Sequence, residues 1–313
     1  MNPDSEQKIL ILTDGKAGHE NQSRAFARAL GRDAVCVEVR FKSAFHKALS
    51  YLFDRLGLLS LAPFAPLHLP PGPFCAVVGA GSGTFYAAKV CARRLGVKCG
   101  VVLYPRGYRI ATFDCILAPA FDRPPPAPNV VEIPANLVAA DAAFYAAGTQ
   151  AFLSRHPRPA APRPAVAVIV GGPNKCATLT ADWMARELRR IFAAHPDAEK
   201  WVTTSRRTPP DVEAVVDSFP FDYKLLYSRD RFNPIPAFVS LAQTLYVTAE
   251  STGMLSEACT FGSAEVRVLD NLRPGPHKFR RFAASCAALG ARKIDLSAPF
   301  AAARRLLGLD ARA

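Results

Sequence analysis

Two Rossmann-like, doubly wound parallel-sheet α/β domains facing across a cleft are what this chain of 313 residues predicts, and three observations predict them. Short apolar runs alternate with helical segments along the chain, the order of a parallel sheet with crossover helices. Several of the runs are apolar throughout rather than at alternate positions, as strands covered on both faces are. A proline-dense segment, R-H-P-R-P-A-A-P-R-P from Arg155 to Pro164, has four prolines in ten positions and favours extended chain. The boundary is expected there, giving domains 1–155 and 156–313. Half of the residues are apolar, enough for two cores of roughly 150 residues each.

Strands of the first domain are expected at Ile9–Leu12, Val35–Val39, Cys75–Val78, Val101–Leu103, Cys115–Leu117 and Val130–Ile133. The segment after Leu12 carries Phe26, Ala29 and Leu30 on one side of a helix and Arg24 and Arg28 on the other. Past the prolines the pattern restarts at Val166–Val170, Val202–Thr204, Lys224–Tyr227, Leu245–Val247 and Val266–Leu269, with a helix at Ala181–Ala194 and a closing helix at Ala301–Leu309. One segment departs from the alternation. From Ala44 to Leu61 apolar residues crowd beside Arg40, Lys42, Lys47 and Arg55, which fits either a core helix followed by a Pro-rich loop or a helix lying on an anionic membrane surface.

The formal charge of +13 biases partners toward phosphates, nucleotides, anionic lipid or nucleic acid. No basic run exceeds two residues and no aromatic-interleaved patch accompanies them, so nucleic acid is not the expected partner. Eight cysteines without C-x-x-C spacing fit a reducing cytosol, and the polar start M-N-P-D-S-E-Q predicts no signal peptide. A cytoplasmic location is expected, peripheral at the inner membrane if the 44–61 segment docks.

The chemistry is expected at the carboxyl ends of the strands, where open α/β sheets bind ligands. After the first strand comes T-D-G-K-A-G-H-E-N-Q-S from Thr13 to Ser23, which turns Asp14, Gly15, Lys16, Gly18, His19, Asn21 and Gln22 toward the acceptor side. His19 sits near a helix N-terminus, whose positive end favours the neutral ring that a general base needs; His19 or Asp14 is the expected base. The turn V-V-G-A-G-S-G-T from Val77 to Thr84, with Gly81, has glycines for close backbone approach but no full dinucleotide fingerprint, so NAD is not expected. In the second domain, Gly171, Gly172, Asn174 and Lys175 follow one strand, and Ser205, Arg206 and Arg207 the next. Guanidinium forks bind phosphate oxygens in pairs. The loop containing Asn233 follows, and then Glu250, Ser251 and Thr252 open a helix whose free N–H groups suit a phosphate, with Glu257 placed for sugar hydroxyls. This set suits a nucleotide-sugar. Helix dipole and arginines would stabilise a leaving diphosphate, and no ligand-spaced His/Asp/Cys cluster calls for a metal or other cofactor.

Several of these motifs together resemble one family: L-T-D-G-K-A-G-H-E-N-Q-S from Leu12 to Ser23, I-V-G-G-P-N-K from Ile169 to Lys175, V-T-T-S-R-R-T-P from Val202 to Pro209, Asn233-Pro234, and V-T-A-E-S-T-G-M-L-S-E-A from Val247 to Ala258. It is that of the plant mitochondrial-fission (elongated-mitochondria) proteins and their bacterial homologues, and the resemblance reaches K-F-R-R-F at Lys278 to Phe282. It implies a fold like that of the GT-B glycosyltransferases. Bacterial members resemble enzymes of cell-envelope sugar assembly, whereas the plant members recruit a dynamin-like protein to the mitochondrial surface. The carry-over falls on Asp14, Gly15, Gly18, His19, Asn21, Gln22, Ser205, Arg206, Ser251 and Glu257. The chain departs from the pattern at Glu250, where an aspartate is usual, at S-T-G-M from Ser251 to Met254 in place of S-V-S-M, and at Phe121-Asp122 in place of His-Asp. The expected activity is metal-independent glycosyl transfer from a nucleotide-sugar to a lipid-linked or other envelope precursor. The alternative is a non-catalytic, membrane-associated adaptor.

Overall fold

Ile9 and Ile11 pack on one side of the first strand and Leu10 and Leu12 on the other, and all four are buried. A strand apolar on both faces needs cover on both, which right-handed βαβ winding supplies. The computed structural model describes residues 7–310; the first six residues of the expected leaderless N-terminus lie outside the described residues. The chain forms two compact units, one running to Ala139 and resuming at Asp295, the other Ala140–Ile294.

In the first unit β1 (Lys8–Thr13), β2 (Ala34–Glu38), β3 (Phe74–Ala80), β4 (Lys98–Val102), β5 (Cys115–Pro119) and β6 (Val130–Ile133) make one parallel sheet in the order β2-β1-β3-β4-β5-β6. Helices α1 (Ala17–Ala29), α2 (Ala44–Leu56) and α3 (Phe85–Leu95) connect them. Phe26 of α1 joins Ile9, Ile11, Ala76 and Val78 on one face, while Phe85, Tyr86 and Val90 of α3 join Leu10, Leu12 and Val77 on the other. Leu12 pairs with Gly79, so β1 and β3 end side by side at the point where the winding reverses.

The second unit begins with α4 (Ala142–Arg155) and continues through β7 (Ala165–Ile169), α5 (Ala181–Ala194), β8 (Glu199–Thr203), α6 (Pro210–Ser218), β9 (Tyr223–Leu225), α7 (Ile235–Leu241), β10 (Thr244–Thr248), α8 (Thr252–Thr260), β11 (Glu265–Leu269) and α9 (Lys278–Leu289). Its parallel sheet has the order β11-β10-β7-β8-β9, with the reversal between β7 and β10. All eleven expected strands are present, and α5 has the expected bounds.

The division between units does not fall at the prolines. Phe152 of α4 is fully buried and contacts the rings of Trp201 and Phe238, burial that stabilises by about 1.5–3 kcal/mol and ties α4 to the second unit. The proline segment is an internal connection pinned at its start, where His156 and Arg158 both bond the Glu199 carboxylate. Burial would raise the Glu199 pKa, but the hydrogen bonds of His156, Trp201 and Arg158 outweigh it and hold the group below the usual carboxylate range. The closing helix α10 (Ser297–Leu307) returns to the first unit rather than completing the second. Leu307 packs in the Phe26 cluster, and Arg304 donates to the carbonyl of Ala29 at 2.8 Å.

No helix of the described residues is long and apolar enough to cross a membrane. All eight cysteines are unpaired thiols. The 44–56 segment is a helix that joins the core only in part, through Tyr51 and Phe53. Its buried residues are Ser50 and Asp54, while Phe45, Leu52 and Leu56 are exposed.

Candidate functional site

Beyond the carboxyl ends of β8 and β9 the second unit holds a cavity of about 310 Å³, at the lower end of the ~300–1,000 Å³ range of ligand sites. The loop after β8 contributes Thr204, Ser205, Arg206 and Arg207; Tyr227, Arg231, Phe232 and Asn233 line it from the β9–α7 connection, and Met254 from the first turn of α8. Local bonds shape these loops. Thr204 Oγ1 donates to Glu213 and accepts the Tyr227 N–H at 2.7 Å, tying β8 to β9. Burial pushes the Glu213 carboxyl up, but hydrogen bonds from Ser228 and Thr204 hold it below the usual carboxylate range. The Arg231 guanidinium lies 4.2 Å from the centre of the Tyr227 ring, and neither Arg206 nor Arg231 forms an ion pair among the described residues. Two cations lacking a carboxylate partner, beside aromatic rings and hydroxyls, are what a nucleotide's diphosphate and base require.

Glu250 braces the loops and does not line the cavity. Its side chain is fully buried; Oε1 accepts from the Gly172 N–H at 2.8 Å and from the Thr248 hydroxyl at 3.2 Å, and Oε2 accepts from the Asn271 amide at 2.8 Å. Its carboxylate thus knits together the chain beyond β7, β10 and β11, with the Arg207 guanidinium 4.0 Å away. Gly171 and Gly172 belong to the same brace. A Cβ at 171 would meet Glu250 Oε1 at 1.8 Å, and one at 172 the Arg207 carbonyl at 2.1 Å, so only glycines let these loops close. Thr208 completes the tie by donating to the Gly171 carbonyl at 2.6 Å.

The remaining expected residues of this unit divide. Ser251 precedes α8 without capping it through its side chain, leaving the N–H groups of Thr252 and its neighbours in the first turn without that acceptor. Asn233 turns the chain just ahead of α7 by accepting the Ile235 N–H at 3.1 Å. Asn174 turns its own loop through the Cys176 N–H, and neither it nor the exposed Lys175 lines the cavity. Glu257 lies farther along α8, outside the cavity lining, where it accepts the Tyr145 hydroxyl at 2.9 Å. Burial raises its pKa despite that bond. Tyr227, Arg231, Phe232 and Met254 are additions; Arg231 and Phe232 stand in the loop that Asn233-Pro234 marks, while nothing local distinguishes Tyr227 from a strand-end aromatic.

In the first unit the β1–α1 turn makes a compact dyad. His19 Nδ1 lies 3.0 and 3.1 Å from the two oxygens of Asp14, and Lys16 donates to Asp14 Oδ2 at 2.9 Å. Burial would raise the Asp14 pKa, but the hydrogen bonds of Lys16 and His19 outweigh it and hold the carboxyl below its usual range. In the tautomer that donates from Nδ1 to Asp14, Nε2 is the ring's acceptor. The turn after β3 closes against this pair. A Cβ at Gly81 would lie 2.3 Å from the imidazole, and one at Gly83 2.6 Å from the Asp14 Cβ, which accounts for that glycine run. Gly15 adopts φ +76° to make the turn, and Lys47 of α2 bonds Ser82 at 2.8 Å. Gln22 is buried on α1 with its carbonyl oxygen unpartnered, Asn21 is exposed, and Gly18 has open space beside it.

The family model described as Mitochondrial fission ELM1 matches residues 17–300. Among solved structures, a UDP-glucosyltransferase from Polygonum tinctorium is similar at TM-score 0.50 and 11% identity, over 97% of this chain and 92% of that one. MurG of Acinetobacter baumannii is similar at TM-score 0.48 and 15% identity, over 96% and 92%. A UDP-GlcNAc 2-epimerase from Neisseria meningitidis, bound to UDP-GlcNAc, is similar at 0.47 and 12%, over 94% and 89%. No curated protein matches the chain. At such identities the likeness is one of fold.

Proposed function

The chain belongs to the Mitochondrial fission ELM1 family, and from that premise we propose that it is a metal-independent glycosyltransferase that takes a nucleoside diphosphate-sugar in its second unit and passes the sugar to a hydroxyl of an envelope precursor. One observation carries the reading: the cavity rimmed by Arg206, Arg207 and Arg231 beside Tyr227 and the first turn of α8. The arginines would neutralise the diphosphate, and they strengthen as partners while its charge develops on leaving. A Polygonum enzyme that shares the fold is described as a UDP-glucosyltransferase, which makes UDP the first nucleotide to test.

The Asp14–His19 dyad supplies the base. His19 Nε2 takes the acceptor hydroxyl's proton as that oxygen bonds the anomeric carbon; the bond from that carbon to the diphosphate oxygen breaks, and the nucleoside diphosphate leaves with the electron pair. Asp14 holds the ring and stabilises the imidazolium that forms. His19→Ala is expected to lower turnover by about 10²–10⁴-fold while leaving nucleotide affinity within about twofold of wild type. Full turnover in that variant would remove His19 from the mechanism.

Arg206→Ala and Arg231→Ala are each expected to weaken nucleoside diphosphate binding by at least about tenfold, the low end of the ~1.5–3 kcal/mol for a charge-assisted hydrogen bond. Calorimetric titration reads this directly, and unchanged affinity in both variants would sink the donor-site map. Cytoplasmic placement, peripheral at the inner membrane, is part of the same proposal, since a lipid-linked acceptor is presented there. The exposed apolar face of α2 also favours a second reading, a membrane-associated adaptor without catalysis. That reading predicts no nucleotide binding at the cavity.

A further inference from the structure

Helix α2 keeps a second apolar face that nothing among the described residues of the first unit covers. Ser43 caps its start by accepting the His46 N–H, and Gly57, at φ +73°, closes its end, so the helix is well defined at both termini. Its inward face is mixed: Tyr51 and Phe53 pack against the core, with Tyr51 stacked on Tyr108, while Ser50 meets the Tyr108 hydroxyl at 2.9 Å and Asp54 pairs with Lys89 and accepts the Arg109 N–H at 2.6 Å. Its outward face is apolar, with Phe45 72%, Leu52 51% and Leu56 64% exposed, and Leu58 and Leu59 of the following turn about half exposed. These five are most of the large exposed hydrophobics among the described residues.

Charge says what covers them. From Val39 to Phe113 the sequence has ten Lys and Arg and a single acid, Asp54; three of the ten are paired, Lys89 with Asp54 and Arg40 and Lys98 with the flanking Glu38 and Asp114, which leaves a basic excess. Lys42 and Arg55 are exposed at the two ends of α2. A second copy of the chain would bring two positive rims together around the apolar patch. An anionic bilayer offers apolar depth and negative charge at once. We propose that α2 and the 57–59 turn seat on an anionic lipid bilayer, with Phe45 and the four leucines entering the acyl boundary and Lys42 and Arg55 at the headgroups. This does not rest on the transferase reading, because it needs no nucleotide and no turnover.

The test is co-sedimentation of the full chain with mixed phosphatidylcholine–phosphatidylglycerol vesicles, without nucleotide. Wild type is expected to pellet with them, and Leu52→Glu/Leu56→Glu to lose at least about tenfold in partition while keeping the wild-type melting temperature, since both side chains are already in water. Lys42→Gln and Arg55→Gln should each lose about fivefold, the equivalent of ~1 kcal/mol per basic residue at the surface. Should the double variant unfold, Leu52→Trp carries the test: on vesicles its emission moves to the blue if the proposal holds and stays put if it is wrong. Wild type that stays in the supernatant, binding that survives the double variant, or equal binding to pure phosphatidylcholine would each overturn the proposal. So would a wild-type dimer in sedimentation equilibrium that the double variant disperses.

Discussion

Asp54→Asn should destabilise the first unit by about 3–5 kcal/mol, because it strands a buried ammonium. Asp54 and Lys89 side chains are each 3% exposed, and the carboxylate also accepts the Arg109 N–H. An asparagine can keep one of these bonds and must turn its amide toward the other donor. Burial already holds the Lys89 pKa below its ordinary 10.5, opposed by the hydrogen bond and charge of Asp54. Removing Asp54 lowers it further. In the window between that folded value and the unfolded one, the unfolded chain binds more protons, so stability rises with pH. The deficit of Asp54→Asn against wild type should therefore be largest near neutrality and narrow as pH rises toward 10. Urea denaturation across that range measures it, and adding Lys89→Met to the variant should restore at least half of the loss. A deficit under ~1 kcal/mol, or one that widens with pH, would contradict the buried-pair account. What is at stake is the seating of α2 on the first unit, which this pair shares with Tyr51 and Phe53.

A loss of about 3 kcal/mol or more is expected for Glu250→Ala in the second unit. Three donors lose their acceptor together, the Gly172 N–H, the Thr248 hydroxyl and the Asn271 amide, and each buried donor left alone costs ~1–3 kcal/mol. Glu250→Gln should cost less, about 1–2 kcal/mol. Its oxygen can serve Gly172 and Thr248, but its amide then faces that of Asn271, which cannot flip without giving up the Ala249 N–H it accepts at 3.1 Å. Faster amide exchange at Gly172 in both variants would locate the damage. If Glu250→Ala were as stable as wild type and only nucleotide affinity fell, Glu250 would be a ligand group after all.

These two residues show where sequence reading stopped. The strands were legible because a buried parallel strand is apolar on both faces, a property local to each run, and Val166–Val170 or Cys115–Leu117 has no other use. Glu250 stands within T-A-E-S from Thr248 to Ser251, a largely polar string at a strand end, and nothing local says which of them turns inward. Its partners lie at Gly172 and Asn271, remote in sequence. Asp54 is a similar case. An amphipathic helix ordinarily buries its leucines, whereas α2 turns Tyr51 and Phe53 inward beside Asp54, whose partner Lys89 stands 35 residues on, and leaves Leu52 and Leu56 exposed. The proline segment misled for another reason: proline density marks extended chain, whereas a unit ends where apolar contacts change partners, and Phe152 keeps α4 with the second unit. The Asp14–His19 dyad was legible because both members and the glycine that turns the chain lie within six residues after one strand. Why the turn after β3 is so rich in glycine became clear only once His19 was seen against Gly81.

The central claim is that the cavity beyond β8 and β9 holds a nucleoside diphosphate, and calorimetric titration of the purified chain with UDP, GDP, CDP and ADP tests it most directly. The account predicts saturable binding of one of them, weakened at least about tenfold in Arg206→Ala and in Arg231→Ala and unchanged in His19→Ala. No binding of any nucleotide, or binding indifferent to both arginines, would contradict it.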